Sequence, residues 1–338
     1  MSPSISIQPT HHTITFEAAL RDLEHKDPRV RAAAAHALGS VDDPEEVRRA
    51  TGALVRALGD KRAEIRATAA MSLGELKDTD AREALENRLD DGDPAVRQTA
   101  AIALGRLGDP AVLPRLREAL DYGPADLRFQ AATSLVEVDP AAAYEPLVQA
   151  LSDPDPEVLS AIALGLGQIG DPRAAGPLAD LLDHSSRKTR FDAAYALAQL
   201  GDPRAAGELS GYLRDRDFGW DAIEALELVG DATSAAALAE VWTGPRIPRQ
   251  LALRAAAAVL AIDPHGSEAD SAQRVLLGGL RARKLEIRGL AVQLLGERGG
   301  PWAGDALRDL RGRRAGKKLR DEIDEALERI ERGGGRRD

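Results

Sequence analysis

The chain is 338 residues long and acidic, with 45 Lys and Arg against 55 Asp and Glu, a net charge of −10 and 3% aromatic residues. It has no cysteine, which excludes a disulfide framework, thiol catalysis and a thiolate metal site. Alanine-rich segments without strand-like alternation of β-branched residues indicate an all-α chain, and no apolar run approaches a bilayer span.

Met1 to Thr15 is polar, carries two prolines, and lacks both a basic and an apolar signal region. It is expected to be a disordered or extended arm (residues 1–15) on a cytoplasmic protein, with His11 and His12 as a solvated pair. Phe16 to about Leu23 is the first helix, with Phe16 and Leu20 on its inner side. Repeats then follow, and the stretch Asp93–Pro110 shows their rule most clearly. Asp93 can cap a helix with its carboxylate, and Pro94 suits the first helical position, where its missing donor costs nothing. Val96, Ala100, Leu104 and Leu107 share one azimuth and form a core stripe, while Gln98 and Ile102 are expected to point the opposite way. Gly108 stops the helix, and Asp109-Pro110 starts the next.

With Val96 as position zero, its equivalents are Val30, Ile65, Leu127, Val158, Thr189, Phe218, Leu251, Ile287 and Leu319. Position +8 is then Leu38, Leu73, Leu104, Leu135, Leu166, Leu197, Leu226, Val259, Leu295 and Leu327. A period near 31 residues with two short helices per repeat predicts an α-solenoid, in which each pair buries its stripe only against its neighbours. Asp27-Pro28, Val30-Arg31, Ala34-Ala35, Ala37-Leu38-Gly39 and the matching string from Asp93 to Gly105 resemble the HEAT-like repeat of the phycobilisome-lyase type. The resemblance covers residues 16–330. It implies an all-α, right-handed superhelix of about ten helical hairpins, read as one continuous domain between the N-terminal arm and a flexible tail, 331–338. In such proteins the second helix of each pair lines the concave side.

The pattern loosens from Asp215, where Asp217-Phe218-Gly219-Trp220 replaces the Asp-Pro start. Long turns follow at Gly244–Pro248 and Asp263–Ser267. Charge is uneven too: residues 271–338 hold 17 basic against 11 acidic side chains, and residues 1–270 hold 28 against 44. An acidic body repels phosphate backbones, which argues against a full-length nucleic-acid groove. Arg281, Arg283, Lys284, Arg311, Arg313, Arg314, Lys317 and Lys318 form a possible local basic patch. At +1 stands a column of arginines: Arg31, Arg66, Arg97, Arg128, Arg190, Arg288 and Arg320. Their stems should pack at the edge of the core stripe while each guanidinium meets a loop aspartate of the same or the neighbouring repeat.

Function is sought on the face that the repeat does not need, at +2, +6 and +9 of the second helices. Four of the eleven aromatic residues fall in the first two of these columns: Phe129, Phe191, Tyr195 and Trp220. With Gln98, Gln130, Asp192, Asp221 and Glu224 they are the candidate protein-binding residues, and their acidic fringe suits a basic or amphipathic partner segment. No histidine pair has metal-binding spacing and none is followed by Glu, which removes the iron site of the HEAT-repeat deoxyhypusine hydroxylases that the resemblance would otherwise allow. Neither a phosphate-binding loop nor a nucleophile triad stands out. The expectation is a non-enzymatic interaction scaffold or adaptor without cofactor. The resemblance also implies two alternatives: a bilin-lyase-like or tetrapyrrole-protein chaperone subunit, and a nucleic-acid-binding HEAT-like protein.

Overall fold

A computed structural model of the chain describes residues 15–244 and 247–334. Residues 1–14 of the expected arm, with His11-His12, the Pro245-Arg246 part of one long turn and residues 335–338 lie outside the described residues, while Thr15, counted with the arm, caps the first helix by accepting from the Ala18 amide. Twenty α-helices are present among the described residues, forming ten successive pairs without a strand. None is long and apolar enough to cross a membrane.

Local chemistry sets the helix ends. Asp27 and Asp93 accept from the amides of Arg29 and Ala95, each with proline at the first helical position, and Asp43 and Asp139 cap first helices in the same way. Gly108, Gly170 and Gly201 close second helices with φ of 73°, 75° and 74°, the left-handed region in which a Cβ is disfavoured. At Gly108 the amide bonds to the Gly105 carbonyl at 2.8 Å, and the Asp109 amide reaches back to Leu104 at 3.1 Å. Lys77 holds the equivalent position with φ 53° and bears the steric cost that glycine avoids.

Packing divides the chain into two compact units, Met1–Gly165 and Leu166–Asp338, with the boundary inside the helix Pro156–Ile169. Nothing in the sequence repeat marks that division. In the N-terminal unit the second helices Pro28–Leu38, Ala63–Leu76, Pro94–Arg106 and Ala125–Val138 stack in chain order. In the C-terminal unit Arg187–Gln199, Gly219–Val229, Arg249–Ile262, Leu285–Arg298 and Arg320–Gly334 do the same. The +8 residues from Leu38 to Leu295 are fully buried, each contributing about 1.5–3 kcal/mol of apolar transfer. Leu327 is half-buried, as expected of a terminal helix covered on one side. That helix continues to Gly334, past the expected end of the repeats at 330.

Position +9, expected to face outward, instead makes a close helix–helix contact in most repeats. A Cβ on Gly39 would lie 2.8 Å from Ser72 Cβ, one on Gly74 2.8 Å from Ala103 Cα, and one on Gly105 3.2 Å from Ser134 Cβ. Each partner is at +7 of the next second helix. Where +9 is the larger Val136, the facing +7 is Gly165, whose Cβ would stand 3.0 Å from Val136 Cγ2. The C-terminal unit repeats the contact at Gly167 on Ala196 and Gly296 on Ala326, both 2.9 Å from Cα. Small residues there let the backbones approach, so the expected outward direction of +9 is corrected.

The arginine column forms much of the expected ladder. In the N-terminal unit Arg31 Nε donates to Asp60 at 2.8 Å, Arg66 Nη2 to Asp91 at 2.6 Å and Arg128 Nε to Asp153 at 2.7 Å. Each Nη1 also donates to a carbonyl of its own preceding turn, at His25, Asp60 and Gly123. One guanidinium therefore ties two successive turns. In the C-terminal unit Arg190 uses Glu208 at 2.9 Å instead of a loop aspartate. Arg97, Arg288 and Arg320 form no ion pair among the described residues. Hydrogen bonds from Arg66 hold the Asp91 carboxyl below the ordinary range against the effect of burial. At Asp60 and Asp153 burial pushes upward, but the arginine bonds and a backbone amide outweigh it, and both carboxyls are lowered.

Two expected outcomes follow. Gly52 is exposed in mid-helix with nothing near its missing Cβ, so Gly52→Ala should stabilise by about 0.5–1 kcal/mol. Gly74→Ala carries the same propensity gain but forces a contact under 3 Å on Ala103, and overpacking of about 1–3 kcal/mol should make it destabilising. Urea unfolding of both variants checks the opposite signs. The lowered carboxyls contribute stability above about pH 4, and this is lost as pH falls through their folded values. Arg66→Gln should therefore show its largest deficit at neutral pH, and that deficit should shrink in urea titrations repeated toward about pH 2.

Candidate functional site

In the N-terminal unit the outward side of the second helices is mixed. Phe129 is 40% exposed and Leu164 38%, with Thr133 open between them in sequence. Gln98 and Gln130 are half-buried, and Gln130 accepts from Arg106 Nη2 at 3.5 Å. Ile102, expected to face outward, is fully buried.

The C-terminal unit separates the expected rings into two groups. Phe191 is only 4% exposed and belongs to the core, which corrects its placement on an open face. Its ring lies 4.5 Å from Phe218, 5.1 Å from Tyr212 and 6.2 Å from Tyr195. The reason is packing against the next repeat: Tyr212 follows that repeat's first helix, Ala205–Ser210, Phe218 precedes its second, Gly219–Val229, and both rings close over Phe191. Tyr212 is fixed by donating to the Arg187 carbonyl at 2.7 Å, and its hydroxyl contacts Glu208 at 3.0 Å. Burial and that carboxylate push its phenol up to about 12. Arg187 stacks over Tyr212 at 4.5 Å. Asp192 is buried and meets Lys188 at 3.0 Å, so it too is structural.

What remains open is Tyr195, Trp220, Asp221 and Glu224. Trp220 is 41% exposed, Tyr195 is half-buried, and both carboxylates are exposed. Asp221 and Glu224 form no hydrogen bond or ion pair among the described residues. Partial desolvation, and then the charge of Glu224, raise the Asp221 carboxyl; burial, then Glu224 and Asp221, raise the Tyr195 phenol. Asp221 and Tyr195 thus share partial burial and the negative charge of Glu224. Beside them, Arg254 lies over the Trp220 ring at 5.9 Å, and Glu227 pairs with both Arg254 at 3.7 Å and Arg298 at 2.7 Å. This Arg–Glu–Arg group ties three successive second helices. Sequence reading missed it, although Glu227 stands at a +9 position held by small or apolar residues in every other repeat but the last. The eight side chains of the basic patch are all exposed. Arg311 pairs with Asp324 and Arg313 with Asp309; the other six form no ion pair among the described residues.

Phe191→Ala should therefore destabilise by about 3–5 kcal/mol, while Trp220→Ala costs far less. Asp221 has a raised folded pKa, so its charge opposes folding as pH rises through that value. Asp221→Asn should then raise the thermal midpoint at pH 7. Differential scanning calorimetry of the three variants checks the ranking.

The sequence profile of the HEAT repeats matches residues 51–136, 123–196 and 144–226. No curated protein matches the chain. Among solved structures, importin beta is similar at 15% identity over 93% of this chain and 52% of its own, with a TM-score of 0.54. The CpcE–CpcF complex of phycocyanin lyase from Nostoc sp. PCC7120 is similar at 25% identity over 81% and 98%, with a TM-score of 0.38. An engineered protein shares 19% over 94% and 98%, with a TM-score of 0.48. The likeness to importin beta bears on fold alone. The profile spans more than half of the residues and coincides with the stacked helical pairs, and on that ground the chain belongs to the HEAT-repeat family.

Proposed function

We propose that the protein is a non-enzymatic interaction scaffold whose C-terminal unit takes a basic or amphipathic segment of a partner protein on the second-helix face of Tyr195, Trp220, Asp221 and Glu224. One observation carries this reading: two carboxylates stand without partners beside two partly open rings. Nothing in the stacking of the repeats calls for that combination. An unpaired acid whose pKa is raised by partial burial and a neighbouring carboxylate opposes folding, and a cationic partner would relieve that cost. Rigid rings add contact area at low entropic cost, and Trp220 already faces one guanidinium within the chain. In the N-terminal unit, Phe129 with Gln98 and Gln130 is proposed as a further contact for such partners, of lower charge.

The absence of a catalytic role is part of the same proposal. The open polar groups of this face are two acids and a phenol, with neither a nucleophile–base pair nor a histidine among them. Its sign also counts against a phosphate backbone as ligand.

A synthetic Lys/Leu amphipathic helix, titrated by fluorescence anisotropy against the full chain, tests the reading. Asp221→Asn with Glu224→Gln should weaken binding at least about tenfold, equivalent to about 1.4 kcal/mol, and Trp220→Ala should also weaken it. Affinity should fall on acidification as Asp221 takes up a proton, starting above the ordinary carboxylate range because its pKa is raised. Equal affinity of the wild-type and neutralised chains would refute the proposal.

A further inference from the structure

The basic patch offers the opposite half of the same chemistry. Arg281, Arg283 and Lys284 precede the helix Leu285–Arg298, and Arg314, Lys317 and Lys318 precede Arg320–Gly334. These two helices pack together: a Cβ on Gly296 would lie 2.9 Å from Ala326 Cα. Consecutive turns thus present six exposed cations that no carboxylate among the described residues pairs. Earlier in the ladder the corresponding turns carry Asp60, Asp91 and Asp153, each engaged by an arginine. Here Ala282 and Arg314 stand at those register positions, and the sign of the turn is reversed.

We infer that a second copy of this chain is a partner, with the basic turns of one copy docking on the Tyr195–Trp220–Asp221–Glu224 face of another. The inference rests on the reading of that face as a site for basic segments. Charge complementarity selects the occupant. Residues 1–270 hold 28 basic against 44 acidic side chains, residues 271–338 hold 17 against 11, and each patch lacks internal partners. Both patches lie on packed helices of one unit at fixed places, so the pairing is between copies. A nucleic acid fits the basic turns less well, because none of the exposed large apolar side chains beside them is an aromatic ring for stacking. Two copies also repel through their net charge of −10 each. The Debye length is about 30 Å at 0.01 M salt, about 10 Å at 0.1 M and about 3 Å at 1 M. Whole-molecule repulsion dominates at the first, patch attraction survives at the second, and both are screened at the third. Association is therefore strongest at intermediate salt.

Sedimentation velocity of the full chain over a concentration series tests this. The wild type should associate by mass action near 0.1 M salt, and less at both about 0.01 M and about 1 M. Asp221→Lys with Glu224→Lys, and separately Lys317→Glu with Lys318→Glu, should each weaken self-association at least about tenfold. All four residues are exposed, so thermal midpoints should show both chains folded. An equimolar mixture of the two variants should recover association, since the intact basic end of one meets the intact acidic face of the other. A wild type that stays monomeric, or variants that associate as the wild type does, would overturn the inference. Lys/Leu peptide binding that persists in a monomeric wild type would leave the acidic face standing and remove only the second copy.

Discussion

The close approach of consecutive second helices is the constraint on which the rest of each unit depends. It is made by a small residue at +9 against a small residue at +7 of the next repeat, as at Gly74 on Ala103 and Gly296 on Ala326. With so little side chain between the backbones, the helices stack tightly enough for the +8 leucines to be wholly enclosed. The turns are also brought close enough for one arginine to bond both. The pair Val136 and Gly165 shows that the requirement is on the sum of the two residues, since a larger +9 is matched by a glycine opposite.

The HEAT-repeat fold was legible because it is written in residues whose physics is local. Asp-Pro starts, a left-handed glycine at the end and an apolar residue every three to four positions need no knowledge of distant contacts. The arginine ladder was legible for a related reason: a charge recurring at the edge of a core stripe has few acceptors other than the turn beside it. Position +9 was misread because its azimuth lies off the intra-repeat stripe; its partner is in the next repeat, and one helix viewed alone does not show it. Phe191 was misread for a different reason. Its column faces outward in the next repeat at Trp220, but Phe191 itself packs on Tyr212 and Phe218 of that repeat, a contact that only tertiary packing reveals. The Arg254–Glu227–Arg298 group joins residues 71 apart in sequence at its widest, beyond the reach of a repeat-by-repeat reading.

Departures from the repeat group by sign. In the body of the chain nearly every turn aspartate is answered by an arginine or a backbone amide, and such satisfied groups are inert toward partners. In the C-terminal unit two groups of exposed charge stay unanswered among the described residues: acidic at Asp221 and Glu224, basic on the last two turns before the final second helices. Exposed unpaired charge gives little stability, and a raised carboxyl such as Asp221 costs some.

Hydroxyl-radical footprinting of the full chain, with and without saturating Lys/Leu amphipathic peptide, tests the central claim most directly. The account predicts that oxidation of Trp220 and Tyr195 is suppressed by the peptide, while Trp302 and the exposed Tyr122 are modified as before. Protection of Trp302 or Tyr122 with Trp220 unchanged would contradict it.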